Sequence, residues 1–76
     1  MTVPARADIV GNVWKIVARE GDPVGIGDTV AILETMKMEI PVVAPAAGHV
    51  SRILVAEGQI VQEGDPVAEI DATLSA

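Results

Sequence analysis

Apolar residues fall in short runs along this chain, and glycines cut the runs apart. Val13 to Ala18 and Val50 to Val55 are aliphatic, rich in β-branched residues and bounded by glycine, a pattern that predicts strands. Thr29 to Leu33, extending to the acid Glu34, and Pro66 to Ile70 predict two more, and Ile40 to Val43 another. The pairs Gly21-Asp22, Gly27-Asp28, Gly58-Gln59 and Gly64-Asp65 punctuate the chain as turns. Pro23 and Pro66 suit a turn or the opening of a strand. No stretch carries the apolar period and caps of a helix. The pattern therefore predicts an all-β fold of seven or eight short strands, each of about five residues.

One spacing predicts a bend. Val13 and Ile16 are three apart, as are Val50 and Ile53. A flat strand puts such residues on opposite faces. Either both faces are buried at different points, or a bulge turns the strand. Both fit a tightly curved barrel or sandwich, which also removes exposed edges.

The pattern repeats. A shift of 37 positions aligns residues 11–34 with residues 48–71 without a gap, and ten of the 24 pairs are identical. They are Gly11/Gly48, Val13/Val50, Ile16/Ile53, Glu20/Glu57, Gly21/Gly58, Val24/Val61, Gly27/Gly64, Asp28/Asp65, Val30/Val67 and Ala31/Ala68. Two copies are too few for a solenoid. They predict one closed, pseudo-twofold domain over residues 1–76, with its core from about 8 to 71.

Composition narrows the picture. The chain has 76 residues, half of them apolar, yet Trp14 is its only aromatic. The core must be built from Val, Ile, Leu, Ala and Met, and such a core is thin. Cysteine is absent, which excludes disulfides, thiolate metal sites and a thiol nucleophile. Eleven acids against five bases give a net charge of −6. Nucleic acid and anionic membrane surfaces recruit basic patches, so neither is an expected partner. No apolar run approaches a membrane span, and the N-terminus lacks a signal core. A soluble, cytoplasmic domain is expected.

Between the copies lies Thr35-Met36-Lys37-Met38-Glu39. The flanking strands must reverse direction here, which puts Lys37 at or near a hairpin tip. The tip has no Gly, Asn or Asp, the residues hairpins prefer, and a turn without good turn chemistry points to a functional site. A lysine at a turn is ordinarily a solvated charge, and a methionine is ordinarily core filler. Core filling is geometrically hard at a tip, however, so Met36 and Met38 point to a surface that another protein packs against. Lys37 also breaks the repeat, since its counterpart is Leu74, beyond the second copy. The other lysine, Lys15, is matched by Arg52 and reads as an interchangeable surface cation.

The run Glu34-Thr35-Met36-Lys37-Met38-Glu39 between two glycine-punctuated halves resembles the biotinyl/lipoyl attachment domains. It is most similar to the biotin carboxyl carrier domains of biotin-dependent carboxylases and transcarboxylases. The resemblance spans roughly residues 8 to 71, including the glycine-aspartate turns, Pro45 and Gly48. It implies a flattened barrel-sandwich hybrid of two four-stranded antiparallel sheets, with the termini meeting at the end opposite the lysine. It implies covalent biotin on Lys37, with Glu34, Met36, Met38 and Glu39 as recognition flanks. The implied partners are a biotin protein ligase, a biotin carboxylase and a carboxyltransferase, and the chain itself is a non-catalytic carrier. Thr35 departs from the alanine usual in carboxylase motifs, and Glu34-Thr35 echoes the lipoyl motif, so lipoate is the alternative group. An unmodified β-barrel interaction module is the other alternative. The halves align without a gap, so no protruding thumb is expected. The start at Met1 and the end five residues after Asp71 suggest a stand-alone carrier or small subunit.

Other candidates are weak. His49, the only histidine, pairs with Asn12 in the repeat and reads as a surface residue. Trp14 pairs with Ser51 and reads as a half-exposed strand residue or a packing plug. No metal cluster, phosphate loop or nucleophile–base–acid set is visible. Ala72 to Ala76 reads as a frayed tail.

Overall fold

The computed structural model describes residues 1–72. Its eight strands are β1 (Thr2–Arg6), β2 (Gly11–Ile16), β3 (Pro23–Val24), β4 (Thr29–Thr35), β5 (Met38–Val43), β6 (Gly48–Ile53), β7 (Ile60–Val61) and β8 (Pro66–Ala72). They form two antiparallel four-stranded sheets, ordered β1-β8-β6-β3 and β5-β4-β2-β7. This is the expected sandwich, and no thumb interrupts either half. No helix is long and apolar enough to cross a membrane among the described residues.

The repeat reaches further than the aligned 24 pairs. β1 and β5 are counterparts under the same shift, with Pro4/Pro41 and, just beyond, Ala7/Ala44 identical. The pattern gave no strand at Thr2–Arg6, because that stretch carries a proline and no run of β-formers. Its pairing with β8 makes it one, and Pro4 is tolerated because β1 is an edge strand. Two expected boundaries also shift. β2 and β6 each begin two residues earlier and end two earlier than the apolar runs, since the ladder starts at the glycines. Ala72 belongs to β8 and donates its N–H to the Met1 carbonyl at 2.7 Å. It is not frayed, and the rest of that tail, 73–76, lies outside the described residues.

The expected bend is a bulge in each half. β2 shifts register against β4 between Val13 and Lys15, and β6 shifts against β8 between Val50 and Arg52. Trp14 and Ser51 are the extra residues. Each bulge lets both members of the three-apart pair face inward. Val13 and Val50 are fully buried, and Ile16 and Ile53 pack against the core.

The halves interlock, because each sheet takes two strands from each half. Gly21 N–H donates to the Val50 carbonyl at 2.7 Å, and Gly58 N–H donates to the Val13 carbonyl at 2.7 Å. Glu57 Oε2 accepts from Ile16 N–H, and Glu20 Oε2 from Ile53 N–H, both at 3.0 Å. These carboxylates satisfy backbone donors just past the opposite half's bulge, where the ladder is interrupted. The turn glycines Gly27 and Gly64 have φ of 86° and 89°, which a side chain resists. Among the described residues the core consists only of Ala, Val, Leu and Ile, with no methionine in it, and includes Leu33 and its counterpart Ile70.

Candidate functional site: the lysine hairpin

β4 and β5 are adjacent and in register from Leu33↔Ile40 through Glu34↔Glu39 to Thr35↔Met38. That pairing leaves only Met36 and Lys37 in the loop, a two-residue hairpin. Such loops favour a turn with positive φ at both central residues. Met36 has φ 45° and Lys37 φ 72°, and they are the only non-glycine residues with positive φ among those described. Each such residue costs roughly 1–2 kcal/mol of backbone strain. Strain persists where surrounding structure over-determines it, and it concentrates at functional sites. Here the β4–β5 ladder does the fixing.

The side chains at the tip turn outward. Met36 is 91% exposed and Met38 59% exposed. Lys37, Glu34 and Glu39 are exposed as well. Neither carboxylate lies within ion-pair distance of Lys37 among the described residues. The tip therefore presents an unhindered primary amine between two thioethers, with the two acids one rung and more below it. A cleft of about 260 Å³ is lined by Pro4, Ala5, Arg6, Asp8, Val43 and Pro45. It contains none of the hairpin residues, so the tip works as a projection and not as a pocket.

The opposite end holds Met1 and Ala72. Met1 N lies 3.6 Å from Asp71 Oδ1, beside the Ala72–Met1 backbone bond. Met1 is the repeat counterpart of Met38, so Met1 and Ala72 occupy the place that the hairpin fills in the other half. The lysine tip and the Met1–Ala72 pairing are thus pseudo-symmetric opposites.

The remaining residues singled out from sequence lie elsewhere. His49 sits on β6 with Nε2 3.5 Å from Asp71 Oδ2 and is half exposed. Trp14 is 45% exposed on β2 and fills no core position. Lys15 Nζ lies 5.8 Å from the centre of its ring, so Lys15 is the surface cation its pairing with Arg52 suggested. The roles of Glu20 and Glu57 went unread, although their identity across the repeat was a signal that could have found them.

Comparison with known proteins agrees with this geometry. Residues 1–70 match the biotin/lipoyl family model, described as "Biotin-requiring enzyme". A biotinylated protein TB7.3 homolog of Mycolicibacterium smegmatis is 55% identical over 42 residues, which are 55% of this chain and 59% of that protein. The match thus spans about three fifths of the relative's length. A solved structure of a single-chain, multi-domain long-chain acyl-CoA carboxylase superposes with a TM-score of 0.85 at 37% identity, covering 99% of this chain and 7% of that one. The urea carboxylase of Kluyveromyces lactis gives a TM-score of 0.87 at 41% identity, covering 92% of this chain and 6% of that one. The sandwich, its repeat and the match over residues 1–70 together make this chain a member of the biotin/lipoyl attachment family.

Proposed function

We propose that this chain is a biotin carboxyl carrier whose Lys37 takes biotin in amide linkage from a biotin protein ligase. The observation that carries this reading is the single lysine held at positive φ on an exposed two-residue tip, between exposed methionines. Amide formation needs a primary amine. The neutral Nζ forms the new C–N bond with an activated acyl group, the activating group leaves with the bonding pair, and the amine proton goes to solvent. A free lysine amine is mostly protonated near pH 7, and no carboxylate of the tip is within ion-pair distance to take that proton. The ligase supplies that activation. Met36 and Met38 offer it an adaptable apolar contact.

Once linked, biotin supplies a ring nitrogen that accepts and releases a carboxyl group. This chain's own part is positional. A rigid sandwich holds the attachment point still, and the lysine stem gives reach. Tethering raises the local concentration of the group at each partner site, here a biotin carboxylase and a carboxyltransferase. On this reading the domain carries out no catalysis itself. The reading takes the cytoplasm, which holds ATP and bicarbonate, as the site of this work.

Intact mass and a streptavidin blot of protein from its host test the reading. A biotin adduct mapping to Lys37 is expected. Lys37→Arg should abolish it, since guanidinium stays protonated, while Lys15→Arg should leave it unchanged. A lipoyl adduct, or unmodified protein in the presence of an active ligase, would overturn the proposal.

A further inference from the structure

The repeat provides an internal control, because every position on the outer face of one sheet has a twin on the other. On the tip-bearing sheet the bulged pair Trp14-Lys15 faces Ile32, and Pro41 follows on β5. On the other sheet the twin row is Ser51-Arg52, Glu69 and Pro4. Two rungs nearer the tip, on the same face, Ile60, Asn12, Glu34 and Glu39 lie side by side. Their twins are Pro23, His49, Asp71 and Thr2. The same backbone thus folds with a polar row on one face and an apolar row on the other. Trp14 at 45% and Ile60 at 60% exposure are therefore not demands of the fold. Ile60 is the diagonal neighbour of Trp14, within reach of an aromatic side chain. Trp14, Ile32 and Ile60 thus cluster around Lys15 and Asn12 on this face, and exposed apolar residues gathered within a polar rim mark an interaction surface.

The rim differs in the same way. Asp71 has polar partners within the molecule, Met1 N at 3.6 Å and His49 Nε2 at 3.5 Å. Glu34 and Glu39 face each other directly, a destabilising like-charge pairing. Among the described residues neither has a cation within ion-pair distance. An outside cation would complete this rung.

We propose that the outer face of the tip-bearing sheet is the docking surface for the carboxylating enzyme domain that receives the Lys37 arm. The domain's apolar patch would cover Trp14, Ile32 and Ile60, and a basic side chain would enter between Glu34 and Glu39. This rests on the carrier reading above. An enzyme that gathers ATP and bicarbonate, both anions, is served by an electropositive mouth, and such a mouth would complement this rim and a chain of net charge −6. Ile32 lies five residues from Lys37, roughly 16 Å along the strand. One interface of about 800 Å² per partner spans both.

The test loads wild-type carrier fully with biotin, alongside Trp14→Ser/Ile32→Glu, which imports the twin residues of the polar face. Trp14→Ser alone is the second variant, and Ser51→Ala on the opposite face is the control. The probe is the host's purified biotin carboxylase subunit, with holo-carrier as the varied substrate in ATP-dependent carboxylation. The double variant should raise KM about tenfold or more, as loss of a buried aromatic anchor does, with kcat little changed. Trp14→Ser alone should move KM the same way, added salt should raise the wild-type KM, and the control should match wild type. An unchanged KM in both face variants overturns the proposal. So does a KM increase confined to the ligase reaction, which would assign the face to the ligase. Failure of the wild type to accept biotin overturns the carrier reading itself, a separate outcome read before any carboxylation.

Discussion

Glu20 and Glu57 look like two surface acids among eleven, yet each holds an N–H of the opposite half. Their bonds to Ile53 and Ile16 join one half's turn to the other half's bulge. Hydrogen bonds to charged groups contribute about 1.5–3 kcal/mol, and solvent exposure here places the expectation at the low end. Glu57→Ala and Glu20→Ala should each destabilise by about 1.5 kcal/mol in urea unfolding, with equal effects because the sites are twins. A difference of zero from wild type would show that water replaces the carboxylates without loss. Sequence reading paired these residues but gave them no task, because a hydrogen bond across 33 or 41 residues leaves no local signature. Lys37 was legible for the opposite reason, since its signal is local: a hairpin tip lacking the residues that make hairpin tips easy.

The β4–β5 hairpin carries strain that its own sequence does nothing to relieve. Asn is at home in the first position of such a two-residue turn, where Met36 sits at φ 45°. Met36→Asn should therefore raise stability by roughly 0.5–1 kcal/mol, part of the cost of a left-handed residue. On the carrier reading it should also slow biotin loading, because an apolar contact is lost. Thermal melting and a ligase time course check the two arms, and a variant that is no more stable would deny the strain. The remaining elements show where pattern reading stops. The two-residue strands β3 and β7 are invisible in sequence, because they are turn segments that pair only when the other half's β6 and β2 arrive. β1 was missed for the same reason, its partner β8 lying at the far end of the chain.

As a whole the molecule is two halves that each lack a complete sheet. The segment 1–35 holds β1 to β4, but β1 and β3 pair only with strands of the second half. The sheet that faces β2 and β4 is likewise incomplete without that half's β6 and β8. An isolated peptide of residues 1–35 should be unfolded by circular dichroism. Unfolding of the intact chain should be a single transition, its stability roughly 4–11 kcal/mol for this length. A folded half-peptide would contradict the interlock.

Much of this protein was settled locally. The all-β class, the duplication, the bulged strands and the lysine tip follow from period, glycine placement and missing turn residues, each a short-range property. The aromatic-free core was a matter of composition. Other features required chains of residues far apart to meet. Pairing decided that β1 is a strand, that Ala72 is held by Met1, and that Glu20 and Glu57 each serve the opposite half. The two outer faces also became comparable only when the sheets assembled, for a shift of 37 residues becomes a twofold relation in space. Trp14 stood in the sequence as an unmatched aromatic. Only the register of β2, β4 and β7 brings it onto the same face as Ile32, the partner of its neighbour Lys15, and Ile60, the partner of Asn12, on the sheet that ends in the lysine hairpin.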